Sequence, residues 1–288
     1  MSHLILPAAI ILSVLSTRDA ALLAKLQGTW RIEGIAFSRG LESTPLARSF
    51  KARIGEYVLW DTEQKMLLGL PGCPLSKIVL RPERQDSGGI RALELRDPEY
   101  NLFKPGIFFI RDTRLFLCYG CNSGEQFPTD FEVERAVQPL ILLTLRRIDN
   151  HPGLEASRRL VARMQGKWRV AAVISTDGRG EVKHDISDLR GSICTITGNV
   201  IQCDVPAPRK TGTLHFAINA AHEPARIYTR DFCGIIGFDS NGRLKIAAYR
   251  VADFIKGMVP RELEPPESFD EIGPRKLYLT LEPIAVTK

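Results

Sequence analysis

Cys118-Tyr119-Gly120-Cys121 is the spacing in this chain best suited to chemistry, since two thiols two residues apart can ligate zinc or exchange with a disulfide. Zinc needs a second Cys or His pair, but the second half of the chain has Ala247 where the first has Cys118. A redox pair needs a helix N-terminus to depress one thiol pKa, whereas these cysteines end the strand-like run Leu115-Phe116-Leu117. They read as a strand-end cysteine and a loop cysteine. The five histidines are scattered, and His215 and His222 lie seven apart across a turn, which matches no metal spacing. Asp177-Gly178-Arg179-Gly180-Glu181 lacks the third-position Asp of a calcium loop and reads as a tight turn. The acidic, Pro-containing stretch Glu262 to Glu271 reads as a solvated loop. Gly-x-Ser-x-Gly, Walker and dinucleotide glycine patterns are absent. No catalytic residue, metal ligand or cofactor is therefore predicted, and ligand-binding residues are left unassigned.

One cysteine pair has a structural expectation. If Gly198-Asn199 is a two-residue hairpin turn, Thr197 pairs with Val200, Ile196 with Ile201, and Cys194 faces Cys203. Alternation places that pair in the non-hydrogen-bonded class, with close side chains. A disulfide is expected if the protein is exported; otherwise the two are small buried hydrophobes beside Ile196 and Ile201. All six cysteines, an even count, fit either compartment. Repeat 1 carries Lys51 and Trp60 at the matching places, so the bridge is not expected to be essential to the fold.

The elements that position these residues occur twice. Leu26-Gln27-Gly28-Thr29-Trp30-Arg31-Ile32 returns as Met164-Gln165-Gly166-Lys167-Trp168-Arg169-Val170, 138 positions later. Pro128-Thr129-Asp130-Phe131 matches Pro266-Glu267-Ser268-Phe269 at 138, and Leu143-Thr144-Leu145 matches Leu279-Thr280-Leu281 at 136. A period this long is a whole domain rather than a solenoid unit. Short Val-, Ile- and Thr-rich runs, separated by Gly198-Asn199, Asn219-Ala220 and Asn241-Gly242, read as strands. Ala20–Leu26 and Gly153–Met164 read as short helices leading into each Gly-x-Trp. The fold class expected is all-β: two tandem antiparallel β-barrels, each preceded by a short helix. The boundaries are a candidate signal peptide at 1–20, domain 1 at 21–149 and domain 2 at 150–288.

Gly28 and Gly166 let the chain leave each helix at an unusual φ. Trp30 and Trp168 then begin strands with their rings turned inward, as plugs at one end of a barrel. This resembles the first-strand signature of the lipocalin superfamily. The order continues with a hairpin around Ile54-Gly55-Glu56-Tyr57 or Thr197-Gly198-Asn199-Val200, then Gly212-Thr213-Leu214-His215-Phe216. Gly106-Ile107-Phe108, Leu115-Phe116-Leu117-Cys118, the Pro128 to Phe131 loop and a last strand ending Leu145-Arg146-Arg147 follow. The whole is similar to an uncharacterised lipocalin-like domain family expanded in planctomycete bacteria, present twice over residues 22–284. That resemblance implies a barrel and an exported protein, and no activity. It also implies that a basic residue of the last strand, Arg146 or Arg147, lies across Trp30; repeat 2 offers Glu282 there, so Trp168 is expected to lack this contact.

The apolar run Leu4 to Leu15 suits the core of a secretory signal and is too short for a transmembrane span, which needs about 20 residues. The formal charge of +6 is spread through alternating basic and acidic residues, without the concentrated stripe a nucleic-acid binder needs. Repeat 1 places Phe116, Leu140 and Leu142 on outward positions where repeat 2 places Lys245, Lys276 and Tyr278. Those three residues form a candidate interface, expected to be covered by domain 2, by the Gly153–Met164 helix or by another protein. The functional reading is a non-catalytic exported binding or interaction module, with an envelope protein as a possible partner. The alternative is a carrier of a small apolar ligand inside a barrel, and after it an enzyme with a site at a barrel mouth.

Overall fold

A computed structural model describes residues 17–61, 66–70, 73–85, 89–96, 102–121, 126–176, 182–183, 189–204, 212–229, 232–250, 268–269 and 276–284. The apolar run Leu4 to Leu15, His3, the Asp177 to Glu181 turn, His184 and most of the Glu262 to Glu271 loop lie outside them. Domain 1 begins with α1 (Thr17–Leu26), β1 (Gly28–Phe37), α2 (Pro45–Lys51), β2 (Tyr57–Asp61), β3 (Met66–Leu70) and β4 (Cys73–Gln85). It continues with β5 (Arg91–Arg96), β6 (Phe103–Arg111), β7 (Arg114–Gly120) and β8 (Leu140–Ile148). The connector is α3 (Gly153–Met164). Domain 2 holds β9 (Gly166–Thr176), β10 (Val182–Lys183), β11 (Ile193–Thr197), β12 (Val200–Asp204) and β13 (Gly212–Asn219). Its remaining strands are β14 (Ala225–Thr229), β15 (Phe232–Phe238), β16 (Leu244–Arg250) and β17 (Lys276–Pro283).

Each set of strands closes on itself. In domain 1 every strand pairs antiparallel with its chain neighbours, and β1 pairs with β8 to complete an eight-stranded barrel. In domain 2 the first strand, β9, pairs with both β11 and β17 and closes the second barrel, with β10 added at its end. Closure pairs each of the eight strands of either barrel on both sides, the protection from edge pairing that a barrel provides.

The repeated Gly-x-Trp has a specific role at each helix-to-strand switch. Gly28 and Gly166 take φ of +130° and +117°, which a side chain would oppose. The indole of Trp30 then donates to the Leu26 carbonyl at 2.8 Å, and that of Trp168 to the Met164 carbonyl at 2.7 Å. Each Trp thus satisfies an orphan carbonyl at the end of the preceding helix, with Leu26 and Met164 themselves fully buried. The spacing from Leu or Met to Trp is therefore a helix cap as well as a core plug.

Repeat 1 departs from the expected hairpin at Ile54-Gly55-Glu56-Tyr57, because α2 intervenes between β1 and β2. Gly55 donates to Ile32 and accepts no turn role like that of Gly198; its counterpart is Gly191, which donates to Val170. Val58 stands opposite Trp30 as Cys194 stands opposite Trp168, so the repeat-1 counterpart of Cys194 is Val58 and not Lys51. Val58 and Cys194 keep the 136-residue offset of Leu143 and Leu279, which the correspondence read from sequence had missed.

The barrels are joined laterally. Leu59 of β2 and Leu68 of β3 pack with Ala217 of β13 and Tyr228 of β14. Helix α3 seats beside them: a Cβ on Gly153 would come within 2.8 Å of the Ala221 Cβ, so only glycine permits that approach. Ser157 completes the seat, donating to Gly153 O and accepting from Ala220 N.

Candidate interaction surface

Alternation turns one side of every strand inward, and in barrel 1 those side chains form one cluster. Trp30, Ile32, Val58, Trp60, Leu93, Phe108, Leu115, Leu117, Tyr119, Ile141, Leu143 and Leu145 all belong to it. The Trp60 and Phe108 rings meet with centroids 6.1 Å apart. Barrel 2 has its own cluster around Trp168, Ile196, Phe216, Ile227, Ile236, Leu244 and Leu281. Trp30 and Trp168 are core residues in both.

Of the two arginines expected across Trp30, Arg147 takes the place and Arg146 does not. Arg147 pairs directly with Trp30 in the β1–β8 register, so their side chains share a face. Its guanidinium lies 6.0 Å from the indole centroid and donates to the Lys25 carbonyl at 2.7 Å. Arg146, one residue away, points to the opposite face and lies 3.7 Å from Glu33. Trp168 is opposite Pro283, packs against Phe238 at 6.0 Å, and has no cation over it among the described residues. Arg163 of α3 instead covers Phe238, 3.8 Å from its centroid.

Cys194 and Cys203 are opposite one another across the Gly198-Asn199 turn, with Cα atoms 4.0 Å apart, and are joined as a disulfide. Cys118 and Cys233 are free thiols. Burial, helped by Asp130 and Cys121, pushes the Cys118 thiol up to about 12. A thiol held protonated is a poor nucleophile and metal ligand, so Cys118 lacks the depressed pKa that a redox pair uses.

The strand register anticipated for the apolar positions holds: Leu143 and Leu145 face inward, and Leu140 and Leu142 belong to an outer cluster with Cys118, Ala92 and Ile107. What covers that face differs from expectation. Among the described residues it is neither domain 2 nor α3 but the β7–β8 loop, which lays Phe127, Phe131, Val133 and Ala136 over it. Phe131 reaches Phe116 edge-on at 6.5 Å. Phe269, which matches Phe131 in the repeat, packs on Ile235, Ala247, Tyr278 and Ile174 of barrel 2. The second repeated motif is thus a flap phenylalanine, and Lys276 and Tyr278, placed on outward positions from sequence, are both buried. Leu140 and Leu142 of the candidate interface are internal contacts of the chain, while Phe116 is half-buried beside Phe131 and lines an open cleft.

At the junction between barrels lies a semi-buried ionic group. Glu56 accepts from Arg53 Nε at 2.8 Å and faces Arg226 Nη1 of the other barrel at 2.8 Å. Burial opposes the Glu56 charge, yet Arg53 and Arg226 hold its carboxyl below the usual range. Asn219 donates to the Tyr57 carbonyl at 2.9 Å, and Arg158 of α3 meets Asp61 at 3.0 Å. The Tyr57 ring lies between His151, at 4.8 Å, and His222, at 5.6 Å. Burial and the nearby Arg226 lower His222 to about 4, and burial pushes Cys233 up to about 11. These groups are set for cohesion: the imidazole is neutral and the thiol protonated at ordinary pH.

Two clefts on barrel 1 combine charged and apolar lining. A cleft of about 690 Å3 is bounded by Arg31, Glu33, Ile54, Arg114, Arg146, Arg147 and Asp149. A second, of about 440 Å3, shares Arg114 and Arg146 and adds Arg111, Asp112 and Phe116. Sequence inspection named Arg146 and Arg147 only as candidates over Trp30 and did not gather them with Arg31, Arg111 and Arg114, which are separated along the chain and brought together only by strand pairing. Among the described residues no group of three or more His, Cys, Asp or Glu is placed to hold a metal. Compared with known proteins, the chain matches no family model, no curated protein and no solved structure.

Proposed function

We propose that this protein is a non-catalytic, exported interaction module whose two barrels are scaffolds and whose outer surface makes the contacts. The observation that carries the reading is the packing of barrel 1, where Trp30, Trp60, Phe37, Phe108 and Tyr119 are fully buried in its core. A carrier barrel keeps an apolar chamber for its ligand, whereas here large rings occupy the inward positions. The Cys194–Cys203 bridge supports an oxidising compartment. The two arginine-lined clefts on barrel 1 favour an anionic partner. Native mass spectrometry of protein purified from its own host tests the reading. The expected mass is that of the bare chain, and a retained apolar small molecule would replace the surface reading with the carrier reading.

A further inference from the structure

Four arginines of barrel 1 stand in direct register across four adjoining strands. Arg111 of β6 is opposite Arg114 of β7, Arg114 is opposite Arg146 of β8, and Arg146 is opposite Arg31 of β1. Directly paired strand residues share a face, and all four are exposed. Adjacent strands lie about 4.8 Å apart, so the row extends about 14 Å perpendicular to the strands. Like charges directly opposed across strands destabilise a sheet, and three such pairs in sequence oppose folding for no gain in packing. Glu33, which follows Arg31 on the same strand beside a register shift in β1, lies 3.1 Å from Arg114 and 3.7 Å from Arg146. One carboxylate is shared by two cations. Arg31 directs its Nε at the Gly55 carbonyl, 3.3 Å away, and Arg111 has no ion pair among the described residues.

Resting on the surface reading above, we infer that this row binds an extended acidic polysaccharide carrying a carboxylate or sulfate on each sugar. A guanidinium fork takes a carboxylate or sulfate in a bidentate manner, which a point charge does not. A row of forks, rather than a convergent cluster, suits repeated anions on a linear chain. An extended chain laid across the four strands follows the row, so anions on the sugars that face the sheet come within reach of more than one fork. Ile54 in one cleft and Phe116 in the other provide apolar walls for sugar ring faces. Glu33, Asp112 and Asp149 line the same clefts and reduce the field. That reduction disfavours duplex nucleic acid, which is held by concentrated positive charge.

Calorimetric titration of the intact chain with polygalacturonate oligomers tests the inference. Binding should weaken as salt rises, and neutral dextran should give no heat. Replacing Arg114 and Arg146 together with glutamine should weaken binding at least about tenfold, a loss of about 1.4 kcal/mol, with an unchanged or raised melting temperature. Arg135→Gln, on the exposed Val133–Arg135 turn, should leave binding intact. Absence of polygalacturonate binding, equal binding by the double variant, or tighter arginine-dependent binding of duplex DNA or phosphatidylglycerol vesicles would each overturn it. Quenching of the buried tryptophans by a fatty-acid probe would instead overturn the surface reading itself, so the two failures are distinguishable.

Discussion

Glu56 of the first barrel lies 2.8 Å from Arg226 of the second, and the same carboxylate accepts from Arg53 at 2.8 Å. Each of the three side chains is about one-fifth exposed, so solvent screens them weakly. Removing one partner leaves the others buried without compensation. Glu56→Ala should destabilise the protein by about 3 kcal/mol, and calorimetry should resolve separate melting of the two barrels. A single cooperative transition at the wild-type temperature would show that the apolar contact of Leu59, Leu68, Ala217 and Tyr228 holds the barrels unaided.

Acid should loosen the same junction. His222 takes up its proton near pH 4 in the folded protein, against an unperturbed value near 6.5, because burial and Arg226 disfavour its charge. The unfolded chain therefore binds the proton first as pH falls. Stability is full above about pH 6.5 and declines toward pH 4, by on the order of 1–3 kcal/mol. Glu56, whose pKa is lowered, adds a further loss below the usual carboxylate range. Melting temperatures of wild type and His222→Asn should differ in slope between pH 7 and 4, and parallel curves would assign the acid sensitivity elsewhere.

Reduction should cost barrel 2 more than barrel 1. Cys194 and Cys203 are nine residues apart, a short loop whose closure stabilises by about 2–3 kcal/mol in the chain-entropy account. In the Glu56→Ala background, where the barrels melt separately, Cys194→Ala with Cys203→Ala should lower the barrel 2 transition by that amount while leaving the barrel 1 transition unchanged. Reductant should then have no further effect on the variant.

The flap phenylalanines give a matched pair of tests. Phe131→Ala uncovers Leu140, Leu142 and Cys118 on barrel 1, and Phe269→Ala uncovers Ile235 and Tyr278 on barrel 2. Each should destabilise by about 1–3 kcal/mol and raise binding of a hydrophobic dye. Dye binding that stays at the wild-type level would mean that other residues close the face.

The Trp30 ring separates the two last-strand arginines. Arg147→Ala should shift tryptophan emission and lower stability by about 0.5–1 kcal/mol, while Arg146→Ala should do neither.

Much of the architecture was legible along the chain. The duplicated Gly-x-Trp, the alternating strands and the Gly198-Asn199 turn are local patterns, and local patterns specify element type, register and the meeting of Cys194 with Cys203. Inward and outward faces followed from the same alternation, which is why Leu143 and Leu140 fell on the sides expected.

What the tertiary structure alone decided involves residues distant along the chain. Sequence showed that Phe116, Leu140 and Leu142 needed a cover but not that the β7–β8 loop would fold back to supply it, since a loop's path depends on what it meets. It narrowed the Trp30 partner to two arginines, and the β1–β8 register chose Arg147 over Arg146. The row of Arg111, Arg114, Arg146 and Arg31 exists only once four strands are hydrogen-bonded side by side. Local alternation can place each arginine on an outer face. Only barrel closure, which brings β1 against β8, places the first of them beside the last.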